Sequence, residues 1–72
     1  MVAKERSKVV EAEVYEVLPG FGLAHLRSAD GRVYGLRRGM PGIDFDALRL
    51  GQRLRCTVME PFSRVVEALE IP

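Results

Sequence analysis

The chain has one cysteine, one histidine, no tryptophan and no asparagine, and each scarcity closes a class of explanation. A lone Cys56 permits no internal disulfide. With His25 as the only imidazole, neither a multi-cysteine site nor the usual zinc ligand sets can be assembled, so no metal and no cofactor are expected. Hydroxyl nucleophile candidates exist at Ser7, Ser28, Ser63 and Thr57, but none has a base at a readable spacing, and the glycines of "GRVYGLRRGMPG" lack the strand-to-helix setting of a phosphate loop. An enzyme is therefore not expected. No apolar run is long enough for a membrane span or a signal-peptide core, which gives a cytoplasmic protein as the expectation and no membrane partner.

What remains is a chain of 72 residues with a 47% hydrophobic and 29% charged composition, ordinary for one small folded domain. A chain of this size buries only about 60% of its unfolded surface, so its stability depends on a well-closed architecture. Residues 1–7 are expected to fray, with a single domain over 8–72.

Net charge is +1, but its distribution is uneven. Positions 21–55 hold seven arginines against three aspartates, whereas both ends carry a small negative excess. A basic surface around the middle strands follows, suited to an anionic partner.

The stretch "KVVEAEVYEVL" (8–18) alternates Val10, Ala12 and Val14 against Glu11 and Glu13, the period of a half-buried strand. The alternation slips at Tyr15 and Glu16, where a bend or bulge is expected. Pro19-Gly20 leads into a second strand, Phe21 to Arg27 or Ser28, and Asp30-Gly31 predicts a tight type I′ hairpin turn into a third, Arg32 to Arg37. Asp44 can cap a helical turn ended by Gly51, with Phe45 and Leu48 inward. "QRLRCTVME" and "RVVEALEI" complete the set, the last with ambiguous facing because neither phase is free of charge.

Five antiparallel strands with one short helical turn between the third and fourth predict an all-β protein, a small barrel of the oligonucleotide- and oligosaccharide-binding (OB) type. An SH3-like barrel is the structural rival. Closure would bury Val10, Val14, Ala24, Leu26, Val33, Leu54, Cys56 and Val58. One feature of strand two stands out: Phe21 and Leu23 share a phase with His25 and Arg27, while the smaller Ala24 alternates to the core side with Leu26. Bulky apolar groups sent outward beside charge suggest a ligand platform.

The segments "GFG" (20–22), "DGRVYG" (30–35) and "PGIDFDALRLGQRLRCTV" (41–58) resemble the cold-shock domain, whose two ribonucleoprotein motifs read roughly K-G-F-G-F-I and V-F-V-H-F. That resemblance spans about Val10 to Val66. It implies an OB fold whose outward rings stack on bases of single-stranded RNA or DNA, with Phe21, Leu23, His25, Tyr34 and Tyr15 on the platform; Arg27, Arg32, Arg37 and Arg38, with planar forks matched to phosphate, are the expected phosphate contacts. Pro19, Leu36 and Arg37 stand where the motifs have Lys, His and Phe, so the stacking platform is a reduced one. "EAEVYEVLPG", "RVYGLRRGM" and "LGQRLRCTVMEPFSR" are also similar to bacterial translation initiation factor one, which implies ribosomal RNA as an alternative partner bound through arginines. A protein-interaction barrel that has lost nucleic-acid binding is the third reading.

Overall fold

The computed structural model describes residues 6–72, which form five antiparallel strands in one curled sheet of order β3-β2-β1-β4-β5. The strands are β1 (Arg6–Leu18), β2 (Leu23–Ser28), β3 (Val33–Arg37), β4 (Arg53–Glu60) and β5 (Arg64–Glu70). This is the expected small OB-like barrel. Most of the segment expected to fray lies outside the described residues, and Arg6 and Ser7 are the first two residues of β1, opposite Glu60 and Met59.

β1 is long because it serves two partners: residues 6–13 pair with β4 and residues 12–18 with β2. It turns from one to the other at Tyr15, where the register jumps from Val14 opposite Leu26 to Glu16 opposite His25. The extra residue is a bulge of the kind that bends a strand around a barrel corner. It is also why the sequence alternation breaks at Tyr15 and Glu16, both of which face solvent.

The β2–β3 connection differs from the expected type I′ turn in one residue of length. Ser28 N donates to Arg32 O (2.9 Å) and Gly31 N to Ser28 O (3.0 Å), so three residues, Ala29 to Gly31, form the loop, and only Gly31 takes a positive φ (87°). A type I turn followed by one left-handed residue is the usual three-residue solution. Asp30 secures it by accepting from Arg32 N and from the Ser28 hydroxyl, contacts that hold its carboxyl below the ordinary value.

That added residue overturns two expectations. With Ser28 opposite Arg32, Leu26 faces Tyr34 and Arg27 faces Val33, and directly opposed residues of an antiparallel pair share a face. Tyr34 is therefore core, only 3% exposed, while Val33 is 54% exposed, the reverse of the anticipated arrangement. A two-residue loop would have put Arg27 opposite Tyr34, and a one-residue slip sends every side chain of the strand to the other side.

Elsewhere the core is as anticipated: Val14, Ala24, Leu26, Leu54, Cys56 and Val58 are fully enclosed, joined by Ala12, Leu36, Phe45, Val65 and Ala68, with Val10 half-buried. β5 reads ambiguously because Val66 is an extra residue in its ladder with β4, which puts Val65 and Ala68, three apart, on the same inner face.

β3 and β5 are not paired by backbone hydrogen bonds, so the barrel closes differently at this seam. The segment between β3 and β4 folds across the open side. Asp44 caps a 3-10 turn, Phe45–Ala47, by accepting from Asp46 N (3.1 Å), and the turn inserts Phe45 into the core with Leu48 partly buried beside it. Pro41 O accepts from Ala68 N (3.1 Å), fastening the segment to β5. At Gly42, φ is +90°, and an added Cβ would stand 2.4 Å from Ala68 O, so this clasp requires glycine.

Candidate nucleic-acid interface

The outer surface of β1, β2 and β3 carries the residues singled out in strand two. Leu23, His25 and Arg27 project from β2 opposite Arg37, Gly35 and Val33 of β3. Ala24 and Leu26 alternate inward with no exposure. Phe21 lies just before the strand, on a 3-10 turn, Pro19–Phe21, started by Pro19 and ended by Gly22 in the left-handed conformation. The residue is 84% exposed. The turn is tied to the end of β3 because Arg38 N donates to Gly22 O (2.9 Å), which sets Phe21 at the rim of the face.

Tyr15, lifted out by the bulge, stacks near His25 with ring centroids 6.1 Å apart and planes 24° from parallel. Arg27 also covers the Tyr15 ring, its guanidinium carbon 4.9 Å from the centroid. His25 Nδ1 is 2.6 Å from Glu16 Oε1, so the imidazole is oriented by a carboxylate from β1. Tyr15, His25 and Arg27 thus form a contiguous aromatic and cationic strip at the β1–β2 boundary. Below it Glu11, Glu13, Tyr15, Arg27, Ser28 and Arg53 line a shallow groove of about 490 Å³.

The arginines do not act as one basic surface. Arg53 and Arg55 of β4 both approach Glu11 (3.5 and 3.9 Å), and Arg49 pairs with Glu70 (3.3 Å). Arg38 bonds Asp46 (2.8 Å) and lies 4.8 Å from the Phe45 centroid, so it braces the clasp segment. Arg32 sits at the hairpin between Asp30 (4.0 Å) and Glu60 (3.9 Å). Glu60 is further engaged by Lys8 (2.6 Å), whose ammonium is the main reason its carboxyl is held below the ordinary value. Among the described residues Arg27 and Arg37 make no ion pair. Of the cations on this face, these two have charge to spare for an anion.

Of the nine residues selected from sequence, the structure brings Phe21, Leu23, His25, Arg27, Arg37 and Tyr15 together on one surface. Tyr34 is removed to the core, and Arg32 and Arg38 stand at the hairpin and the clasp. Val33 and Gly35 belong to the surface and were not selected; the hairpin loop length is the signal that would have found them. A second concavity, about 470 Å³, opens beside Gly35 between β3 and β5.

Among the described residues no group of three or more His, Cys, Asp or Glu side chains could hold a metal ion, and no helix is long and apolar enough to cross a membrane. Comparison with protein-family models, with curated proteins and with solved structures gives no match to any of them.

Proposed function

We propose that the outer face of β1–β2–β3 binds single-stranded RNA or DNA, with arginine contacts to phosphate and a reduced set of stacking rings. The observation that carries this reading is the exposure of Phe21 beside Leu23, His25 and Arg27 while the smaller Ala24 fills the core. A small barrel gains nothing in stability from an apolar ring held in water, whereas a base stacked on such a ring contributes about 1 to 3 kcal/mol. Phe21 and the Tyr15–His25 pair are the stacking elements, and Arg27 and Arg37 offer planar forks matched to phosphate. Few rings and two arginines on the face without an ion pair make a weak, salt-sensitive binder. Bases presented on a single strand are its ligand, since duplexed bases expose no ring faces. The protein is a binding module and not an enzyme, and the cytoplasm is where it meets such strands. A ribosomal RNA segment, as the similarity to initiation factor one implies, is the same chemistry in a structured setting.

A protein-interaction surface is the second reading, favoured by Glu11, Glu13 and Glu16 on β1, carboxylates that repel phosphate along one border of the face. Fluorescence anisotropy with labelled oligo-U, oligo-dT and a duplex of equal length separates the two at low salt. Binding of the single strands in preference to the duplex is the expected result. Absence of binding to all three overturns the nucleic-acid reading and leaves the protein-interaction one.

A further inference from the structure

The β3 strand ends the sheet, and the geometry of its edge is specific. Ser28 N donates to Arg32 O at one end of the β2–β3 hairpin and Arg38 N to Gly22 O at the other, both at 2.9 Å. Hydrogen-bonded pairs alternate along an antiparallel ladder, so Leu26–Tyr34 and Ala24–Leu36 exchange the intervening bonds. Val33, Gly35 and Arg37 consequently turn their peptide N–H and C=O away from β2. Arg37 O is taken by Met40 N (3.2 Å), while the N–H and C=O of Gly35 lie outside the β2–β3 ladder and no β5 residue pairs with them.

Gly35 also has no side chain to occupy the outer face. A Cβ built there would meet only Leu23 Cδ1, at 3.9 Å, so the fold does not require glycine at this position and its φ is ordinary. The space beside it is the concavity of about 470 Å³ lined by Leu23, Arg37, Met40, Ser63, Arg64 and Val65. That volume falls within the range of about 300 to 1,000 Å³ common for small-ligand sites.

We propose that this concavity is a nucleobase pocket, in which a base of the bound single strand sets its hydrogen-bonding edge against the N–H and C=O of Gly35. The inference rests on the nucleic-acid reading above and extends it from a stacking surface to a site that grips a base by its edge. A donor beside an acceptor on the backbone of one residue, both pointing to the same side of the strand, complements the Watson–Crick edge of an unpaired base, on which a donor and an acceptor are likewise neighbours. Leu23 and Met40 supply apolar contact for the ring, and Arg37 stands where a phosphate of the same nucleotide would be met. A peptide strand adding to β3 is the other occupant such an edge could take. It is disfavoured because Met40 N already occupies the Arg37 carbonyl, leaving only Val33 and Gly35 for a ladder, and because the Arg37 guanidinium beside the concavity matches phosphate better than an uncharged backbone.

The test is an NMR titration of the ¹⁵N-labelled chain with oligo-U and oligo-dT, paired with affinity measurements on Gly35→Val. The Gly35 amide proton is expected to move downfield with the same saturation curve as the signals of Phe21 and His25, and Gly35→Val, which fills the mouth of the concavity, to weaken binding about tenfold, the loss of one held base. The amide signal needs no variant, so the proposal stays open to refutation if Gly35→Val folds poorly. Movement of Phe21, His25 and Arg27 with a stationary Gly35 amide, or unchanged affinity in a folded Gly35→Val protein, overturns the pocket while the surface reading stands. No movement of any signal at low salt overturns both. A Gly35 amide that responds to an extended peptide and not to oligonucleotides overturns the pocket in favour of strand addition.

Discussion

The guanidinium carbon of Arg27 lies 4.9 Å from the centroid of the Tyr15 ring, so a cation from β2 covers the residue that bulges out of β1. Arg38 makes a comparable contact with Phe45, but there the ring is buried and the guanidinium is also bonded to Asp46. The two arginines therefore have different tasks. Arg27→Gln should flatten the slope of log affinity against log salt by about 0.7, the loss of one phosphate contact on a single strand. Arg38→Gln should leave the slope unchanged and lower the melting temperature. Salt titrations of both variants, read beside thermal melts, check the division, and a flattened slope for Arg38→Gln would reassign it to the interface.

The clasp that closes the β3–β5 seam makes a prediction about stability alone. Gly42 and Gly51 have similar left-handed backbones, with φ of 90° and 85°, but an added Cβ at Gly51 meets nothing within 4 Å, whereas at Gly42 it meets Ala68 O at 2.4 Å. Gly51→Ala should cost about 1 to 2 kcal/mol for the left-handed conformation. Gly42→Ala should exceed it by about 1 kcal/mol or more, since backbone must move. Urea unfolding of the two variants gives the comparison. Equal losses would mean that the clasp adds nothing to closure.

Cys56 is enclosed by β1 and β5, and burial pushes its thiol up to about 11, against 9.0 for a solvated one. The sign follows from which state gives up the proton first. The unfolded chain releases the thiol proton near 9, the folded chain only near 11, so this group's contribution to stability is complete at neutral pH and is lost as pH rises through that window. In mildly alkaline buffer the thiol should resist iodoacetamide in the native protein and react at once in urea. Rapid alkylation of the native protein would show that the core opens around β4.

Much of this architecture was legible because local chemistry and global closure agree. The alternation of Ala12 and Val14 with Glu11 and Glu13, the bulge at Tyr15, the cap at Asp44 and the inward phase of Ala24 and Leu26 all follow from side-chain period and turn chemistry. The orientation of β3 did not, because it hangs on loop length: Asp30-Gly31 is compatible with a two-residue or a three-residue connection, and the difference decides whether Tyr34 or Val33 faces solvent. β5 was obscured in the same way by the extra residue Val66. For the interface, Leu23, His25 and Arg27 were readable from the phase of β2, whereas the outward place of Arg37 follows only from the true β3 register, that of Tyr15 from the bulge, and that of Phe21 from a turn just before the strand. The engagement of Arg38 with Phe45 and Asp46 was not, since it depends on how the clasp segment folds back across the barrel.

The outward ring of Phe21 is the feature on which the functional account turns, and Phe21→Ala measures it most directly when affinity for a single-stranded oligonucleotide and melting temperature are determined on the same preparation. The account predicts that affinity falls by about 1 to 3 kcal/mol while the melting temperature stays within a degree or two of the parent, as for an exposed side chain outside the core. Unchanged affinity in the variant would contradict it.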